Sequence, residues 1–458
     1  MAERFDAIVI GTGQAAPALC ARLDKAGLKT VVIERKLVGG TCVNTGCIPT
    51  KTLVASARAA QLARRGGDYG FTAGEIRVDM RAVKARKDAV VKQSADGVTK
   101  WIGGMPNVTF VHGHARFTGP HSVAVNGRAF EADKVFINVG GRALVPDLPG
   151  IGDVPYLTNT TMMEVDFQPE HLVVVGGSYI GLEFAQMYRR FGSQVTVVER
   201  APRLIAREDD DVCDEIRAIL ERDGIEVRTG AECIALSRNG DRIAVGLECE
   251  AGAPVAEGSH VLLAVGRLPN TADLGLERAG IETDERGYIK VNDECRTNVA
   301  GVWALGDANG RGAFTHTSYN DYEIVAANLF DGDRRRISDR IQAYALFIDP
   351  PLGRAGMTEK EARASGRRVL AGKLPMTRVG RAREAGETQG FMKVLVDADS
   401  KELLGAALLG LNADEIVHSL LDAMYAKAPY TTILRAVHIH PTVTELIPTL
   451  LGKLKPLA

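Results

Sequence analysis

Along residues 5–35, FDAIVIGTGQAAPALCARLDKAGLKTVVIER, a continuous apolar run ends at a glycine, an Ala-rich stretch of helical period follows, and a second apolar run closes the segment. Such runs read as strands buried on both faces and the stretch between them as a helix packed across the pair, so a β-α-β unit is predicted. Residues 171–200, HLVVVGGSYIGLEFAQMYRRFGSQVTVVER, repeat the same order. The chain therefore carries two copies of one supersecondary unit rather than a short-period repeat. Further on, ADKVFINVGGRALVPDLPG and GSHVLLAVGRLPNT run apolar strands into Gly and Pro turns, as expected where a chain crosses between domains. From about residue 339 the pattern changes. FMKVLVDADSKELLGAALLG reads as a hairpin and ADEIVHSLLDAMYAKAPYTTILRAV as amphipathic helix, which predicts a third, α+β segment. REDDDVCDEI is expected to be a solvated acidic helix start, favourable at the positive end of a helix dipole.

At 458 residues the chain exceeds what one hydrophobic core usually supports. Lys+Arg 56 against Asp+Glu 57 leaves a net charge of -1 with no basic cluster to track a phosphate backbone, so nucleic acid is not an expected partner. The opening MAERFDAIVIG lacks the basic and apolar regions of a signal peptide, and no apolar run approaches the roughly 20 residues that span a bilayer. No membrane association and a cytoplasmic location are expected. Seven cysteines, an odd count in a long chain, fit a reducing compartment better than a secreted disulfide framework. Cys20, Cys213, Cys233, Cys249 and Cys295 lie far apart without zinc-site spacing and read as buried small hydrophobes. No metal site is expected.

The glycines between strand and helix carry chemistry. Gly11, Gly13 and Ala16 form G-x-G-x-x-A, and Glu34 ends the next strand. The first glycine makes the turn, the second admits a pyrophosphate, the small third position lets helix meet sheet, and the acid accepts ribose hydroxyls. Gly176, Ser178 and Gly181 repeat this, with Glu199 as the acid and a serine in the middle position. Two dinucleotides are implied. Glu199 suits a free 2′-hydroxyl, pointing to NADH, although Arg200 and Arg203 follow it closely. In GGTCVNTGCIPTK, Cys42 and Cys47 have four residues between them and polar or glycine neighbours. Two further metal ligands are missing there, and buried fillers would have apolar neighbours. A redox-active disulfide at a helix start, where the dipole lowers thiol pKa, fits better.

These segments, with GVWALGDA and HIHPTVTE, occur in the order of the class I pyridine nucleotide-disulfide oxidoreductases, which the whole chain resembles. This is the flavoprotein family of dihydrolipoamide dehydrogenase, glutathione reductase and mercuric reductase. The resemblance implies an α/β fold of two Rossmann-like dinucleotide-binding domains plus a C-terminal α+β dimerisation domain. The implied boundaries are 1–150 and 272–338 for FAD, 151–271 for NAD(P), and 339–458 for dimerisation. It places FAD on the first loop, with Asp307 at the flavin's ribityl chain, and NAD(P)H on the second, and counts Thr41 and Gly266 among the cofactor-binding residues. Lys51 resembles the lysine near flavin N5, paired with Glu183, and Tyr179 the tyrosine that moves when the nicotinamide enters. Electrons would pass from NADH through FAD to Cys47, the flavin-facing sulfur, and then to Cys42, the interchange thiol. His440 and Glu445 match the base dyad, which the family supplies from the other subunit of a homodimer; His438 forms only a weak His-x-His pattern beside it.

For the acceptor, the surroundings of the cysteines and FTHTSYNDYEIV resemble mercuric reductases and the flavoproteins of reactive-chlorine and copper resistance. No cysteine follows Cys295 to match the C-terminal pair of mercuric reductases. The expected acceptor is thus a soft metal ion or a small disulfide. Dihydrolipoamide dehydrogenase is the alternative within the family, and a flavin-bound thiol sensor without turnover the alternative outside it. Glutathione reductase fits less well, because Glu199 disfavours NADPH.

Overall fold

In the computed structural model residues 2–232, 234–247 and 254–457 are described, so Cys233 and Cys249 lie outside the described residues. The chain forms two compact units: Met1–Thr52, Lys84–Leu144 and Gly266–Arg340 make one, and Leu53–Val83, Val145–Val265 and Ile341–Ala458 the other.

The first unit is built on the predicted β-α-β pattern. Strand Glu3–Ile10 leads through helix Ala15–Lys25 to strand Thr30–Glu34, with every residue of that second strand buried. Val108–His112, Thr30–Glu34, Glu3–Ile10 and Arg128–Ile137 lie side by side in parallel, and Val302–Ala304 joins Arg128–Ile137. The register aligns Ile10 with Ile33 and Ile137, and Ile137 with Ala304. The residues that follow, Gly11, Glu34, Asn138 and Gly306, therefore emerge along one carboxyl edge, where open α/β sheets bind ligands. The two crossing segments of the sequence pair as antiparallel strands, Gly141–Ala143 with Arg267–Pro269. Cys20 and Cys295 are fully buried in this unit's core, as expected of small apolar residues.

The second unit repeats the device. Glu226–Arg228, Gln194–Val198, His171–Val175 and His260–Leu263 are parallel, and Val175 is in register with Val198 and Leu263. Gly176 and Glu199 leave at the same edge. In this unit a separate antiparallel sheet contains the predicted hairpin, Phe391–Asp397 with Leu403–Leu409, and helix Ala413–Tyr425 packs its apolar side into the core behind it.

One expectation is corrected. The acidic helix start is solvated only in part: Glu208 and Asp209 are buried, while Asp210 and Asp214 stay exposed. Glu208 accepts hydrogen bonds from Arg354 Nε at 3.2 and 3.0 Å, Asp209 pairs with Lys393 at 2.8 Å, and Asp211 lies 2.7 Å from Lys393 and 2.6 Å from Lys373. Burial raises the Asp211 carboxyl, but the hydrogen bonds and charges of the two lysines outweigh it and hold it below its ordinary value. The cations come from far along the chain, so no local pattern announces them.

Among the described residues no helix is long and apolar enough to cross a membrane, and no cluster of His, Cys, Asp or Glu is arranged to hold a metal ion.

Candidate active site

The two glycine loops share one geometry. In the first, Gly11 N–H donates to Ile33 O at 2.7 Å, Thr12 N–H donates to Glu34 Oε2 at 3.0 Å, and Lys36 N–H to Glu34 Oε1 at 2.8 Å. In the second, Gly176 N–H donates to Val198 O at 2.8 Å, Gly177 N–H to Glu199 Oε2 at 2.5 Å, and Ala201 N–H to Glu199 Oε1 at 2.7 Å. Each acid side chain is thus held beside its loop by two backbone N–H donors. Gly11 has φ of +94°, and a Cβ there would lie 2.3 Å from Asn138 O; a Cβ at Gly181 would lie 2.0 Å from Gly176 O. Only glycine lets these backbones approach so closely. Neither helix that follows, Ala15–Lys25 or Tyr179–Phe191, has an acid in its first turn, so nothing there opposes a phosphate at the positive dipole end. Ser178 does not cap its own helix. Arg203 pairs with Asp214 and lies 3.5 Å from Asp210, whereas Arg200 is exposed.

In the first unit the cysteine segment is tied to the glycine loop. Thr12 Oγ1 donates to Glu34 Oε2 at 2.7 Å and accepts Gly39 N–H at 3.2 Å, and Gln14 donates to Gly39 O at 3.3 Å. Gly39 and Gly40 take positive φ, and a Cβ on Gly40 would meet Gly13 Cα at 2.8 Å. Cys42 sits in the short helix Gly40–Asn44, and Cys47 is the first residue of helix Cys47–Arg64. Gly46 brings them together: a Cβ there would lie 2.8 Å from Thr41 O. Lys51 follows Cys47 by one helical turn.

The Cys42 thiol is pushed up rather than down. The hydrogen bond with Cys47 is the largest cause, then burial, then the charge of Cys47, while the Thr315 hydroxyl and the Cys47 backbone pull the other way. Thr315 opens helix Thr315–Phe330, with its Oγ1 3.2 Å from Cys47 Sγ. Sequence reasoning overlooked it, although FTHTSYNDYEIV was available as a signal.

Asp307 follows strand Val302–Ala304 and lies 3.3 Å from Arg267, the residue after Gly266. Asn138 Nδ2 donates to Gly13 O at 3.1 Å, and Asp321 accepts Gly306 N–H at 2.8 Å and Asn309 Nδ2 at 2.9 Å. These buried supports were also overlooked: Asn138 stands alone, and within FTHTSYNDYEIV nothing singles out Asp321.

The second unit holds Glu183, Tyr179, His440 and Glu445. Glu183 is buried and accepts Phe347 N–H at 3.1 Å. His440 is 79% exposed, and its Nδ1 lies 2.9 and 3.1 Å from the Glu445 oxygens. A nitrogen facing a carboxylate is the donor, which leaves Nε2 as the proton acceptor. Thr442 Oγ1 donates to Ile439 O at 2.8 Å and accepts Glu445 N–H at 3.2 Å, which turns the acid back onto the imidazole. Among the described residues His438 hydrogen-bonds only to backbone, Ala436 O at 3.2 Å, and does not join the dyad.

Residues 5–321 match the pyridine nucleotide-disulphide oxidoreductase family and residues 342–451 its dimerisation domain. The chain belongs to this family of flavin-dependent oxidoreductases, whose cofactors are FAD and a pyridine nucleotide. It is 35% identical to the probable pyridine nucleotide-disulfide oxidoreductase RclA of Escherichia coli (strain K12), over 99% of this chain and 100% of that one. A solved structure of that protein, a Cu(II) complex of the HOCl-induced flavoprotein disulfide reductase RclA, aligns with a TM-score of 0.90 at 34% identity, covering 98% of this chain and 99% of that one. A dihydrolipoyl dehydrogenase of Thermus scotoductus is 34% identical over 97% of this chain and 96% of its own, and a mercuric reductase of Staphylococcus aureus 30% over 94% and 80%.

Proposed function

We propose that this chain passes an electron pair from a pyridine nucleotide, NADH in preference to NADPH, to a redox-active Cys42–Cys47 pair and on to a soft or redox-active metal ion. The observation that supports it best is the pair of thiols Cys42 and Cys47 beside the Thr315 hydroxyl, in a chain 34% identical to a flavoprotein whose structure is a Cu(II) complex. Bound FAD supplies the two-electron relay between nucleotide and dithiol. The chain's own residues bind and orient. Gly11, Gly13 and Ala16 admit one pyrophosphate and Glu34 its ribose, while Thr41 and Asp307 complete that site in residues 1–150 and 272–338, and Gly266 is a further cofactor-binding residue in the segment 151–271. Gly176, Ser178 and Gly181, with the serine hydroxyl as an added donor, and Glu199 do the same for the nicotinamide nucleotide in residues 151–271. Glu199 favours NADH because its fixed carboxylate accepts from a ribose hydroxyl and repels a 2′-phosphate, and Arg203 is already spent on acids of its own segment. By the family resemblance Lys51 is the lysine beside the flavin and Glu183 the acid that the resemblance pairs with it, and Tyr179 covers the nicotinamide place until the nucleotide arrives.

Cys47 is the flavin-facing sulfur and Cys42 the interchange thiol. Oxidation of the dithiol forms one S–S bond and releases two protons, while two Cu(II) ions take one electron each or one Hg(II) ion takes two. His440, oriented by Glu445, accepts the Cys42 proton across a homodimer formed by residues 339–458. The cysteine usage fits a cytoplasmic location. A small disulfide such as lipoamide is the second reading, favoured by the 34% identity to a dihydrolipoyl dehydrogenase. The test is anaerobic NADH oxidation with Cu(II), Hg(II), lipoamide and oxidised glutathione, repeated with NADPH. Metal turnover that exceeds lipoamide turnover and vanishes in Cys42→Ser is expected, with NADH favoured about tenfold. Lipoamide turnover orders of magnitude above the metals overturns the metal reading, and equal use of NADPH overturns the role of Glu199. No Cys42-dependent turnover with any acceptor would point to a sensor.

A further inference from the structure

Immediately before the buried acids of the second unit stands a cation that none of them meets. Arg207 is exposed, and among the described residues it makes no ion pair or hydrogen bond; the carboxylates of Glu208 and Asp209 are taken by Arg354 and Lys393. Its guanidinium instead lies over two aromatic rings, 5.8 Å from the centroid of Tyr179 and 5.8 Å from that of Tyr344. Tyr344 is anchored, since its hydroxyl donates to the fully buried Glu208. The segment carrying Arg207 is fastened to the dinucleotide loop: Ile205 N–H donates to Gly177 O at 2.8 Å, and Leu204 fills the space above Gly177, where a Cβ would lie 2.6 Å from it. A fixed line of contacts therefore runs from Arg354 through Glu208, Tyr344 and Arg207 to Tyr179.

We propose that Arg207 is a positioning residue that latches Tyr179 at the pyridine-nucleotide site, holding its ring in the resting position until the nucleotide displaces it. This rests on the reading of Tyr179 as the ring the nucleotide moves. A cation–π contact at an exposed site is worth about two- to fivefold in an equilibrium constant. A latch of that strength lowers apparent nucleotide affinity by the same factor, because only the unlatched fraction binds.

The measurement is calorimetric titration of the oxidised, FAD-loaded protein with NAD+, which reports binding without turnover. Arg207→Gln should bind NAD+ about two- to fivefold more tightly, and Arg207→Lys should fall between it and the parent. Tyr344→Leu, which removes the second ring from Arg207, should shift affinity in the same direction. Tyr179→Ala should also tighten binding, and adding Arg207→Gln to it should bring no further gain. Unchanged binding in Arg207→Gln overturns the latch. Weaker binding, restored by Arg207→Lys, also overturns it and makes the guanidinium a contact for the nucleotide phosphates. A gain from Arg207→Gln that persists in the Tyr179→Ala background shows a general structural effect and overturns it as well. If Tyr179→Ala leaves NAD+ affinity unchanged, the reading of Tyr179 fails and the latch falls with it.

Discussion

Cys42 and Cys47 are the same residue type in different surroundings, and the surroundings raise the Cys42 thiol. Cys42 is partly buried and holds its proton chiefly through Cys47, whereas Cys47 is exposed beside the Thr315 hydroxyl. An acid whose pKa is raised keeps its proton to higher pH, so removing the cause brings the thiolate in at lower pH. In Cys47→Ala, Cys42 should therefore alkylate with iodoacetamide at a lower midpoint pH than in the reduced parent, with burial keeping it above an exposed thiol. A midpoint that does not move would show that burial alone governs Cys42. At this scale the glycines, the strand-end acids, the cysteines and the His-Glu pair were legible, because each belongs to a short motif. Thr315, Asn138 and Asp321 were not, because their roles rest on hydrogen bonds to other segments of the chain, for Thr315 and Asn138 more than a hundred residues away.

At the scale of elements, apolar runs and glycine turns were enough to forecast both β-α-β units and the hairpin Phe391–Asp397 with Leu403–Leu409. The same reasoning failed on REDDDVCDEI. A run of acids at a helix start is usually solvated, but here Arg354 and Lys393 enter from the C-terminal sheet and make it an ion-pair network. Removing one partner of a buried pair leaves a charge without water or counter-ion. Arg354→Met should destabilise the protein by about 3–5 kcal/mol in urea unfolding, and Glu208→Gln combined with it should recover a large part. Equal losses in the single and double variants would mean that packing, not the stranded carboxylate, sets the cost. The network also fixes Tyr344, so its effect on nucleotide binding should run through Arg207.

At the scale of the whole molecule, the chain carries the family's dimerisation domain over residues 342–451, and the dyad His440–Glu445 lies in it. With His440 79% exposed, the imidazole is presented outward rather than packed within its own unit. If it serves Cys42 across a homodimer, mixing inactive Cys42→Ser with inactive His440→Ala subunits under exchange conditions should restore activity to the hybrid, to about a quarter of the parent for random exchange with one intact site per heterodimer. No recovery despite proven exchange would remove His440 from catalysis across the interface. What the sequence determined by itself was the family, the two glycine loops with their strand-end acids and the placing of Cys42 and Cys47 at helix starts, since these depend on short spacings that backbone geometry translates directly into turns and helix starts. What only the tertiary structure decided was which side chains support them. The raised Cys42 thiol, the Thr315 hydroxyl, the burial of Glu208 and Asp209 and the seat of Arg207 between two tyrosines all depend on distant segments meeting, and electrostatics and burial act through distance in space, which local pattern does not encode.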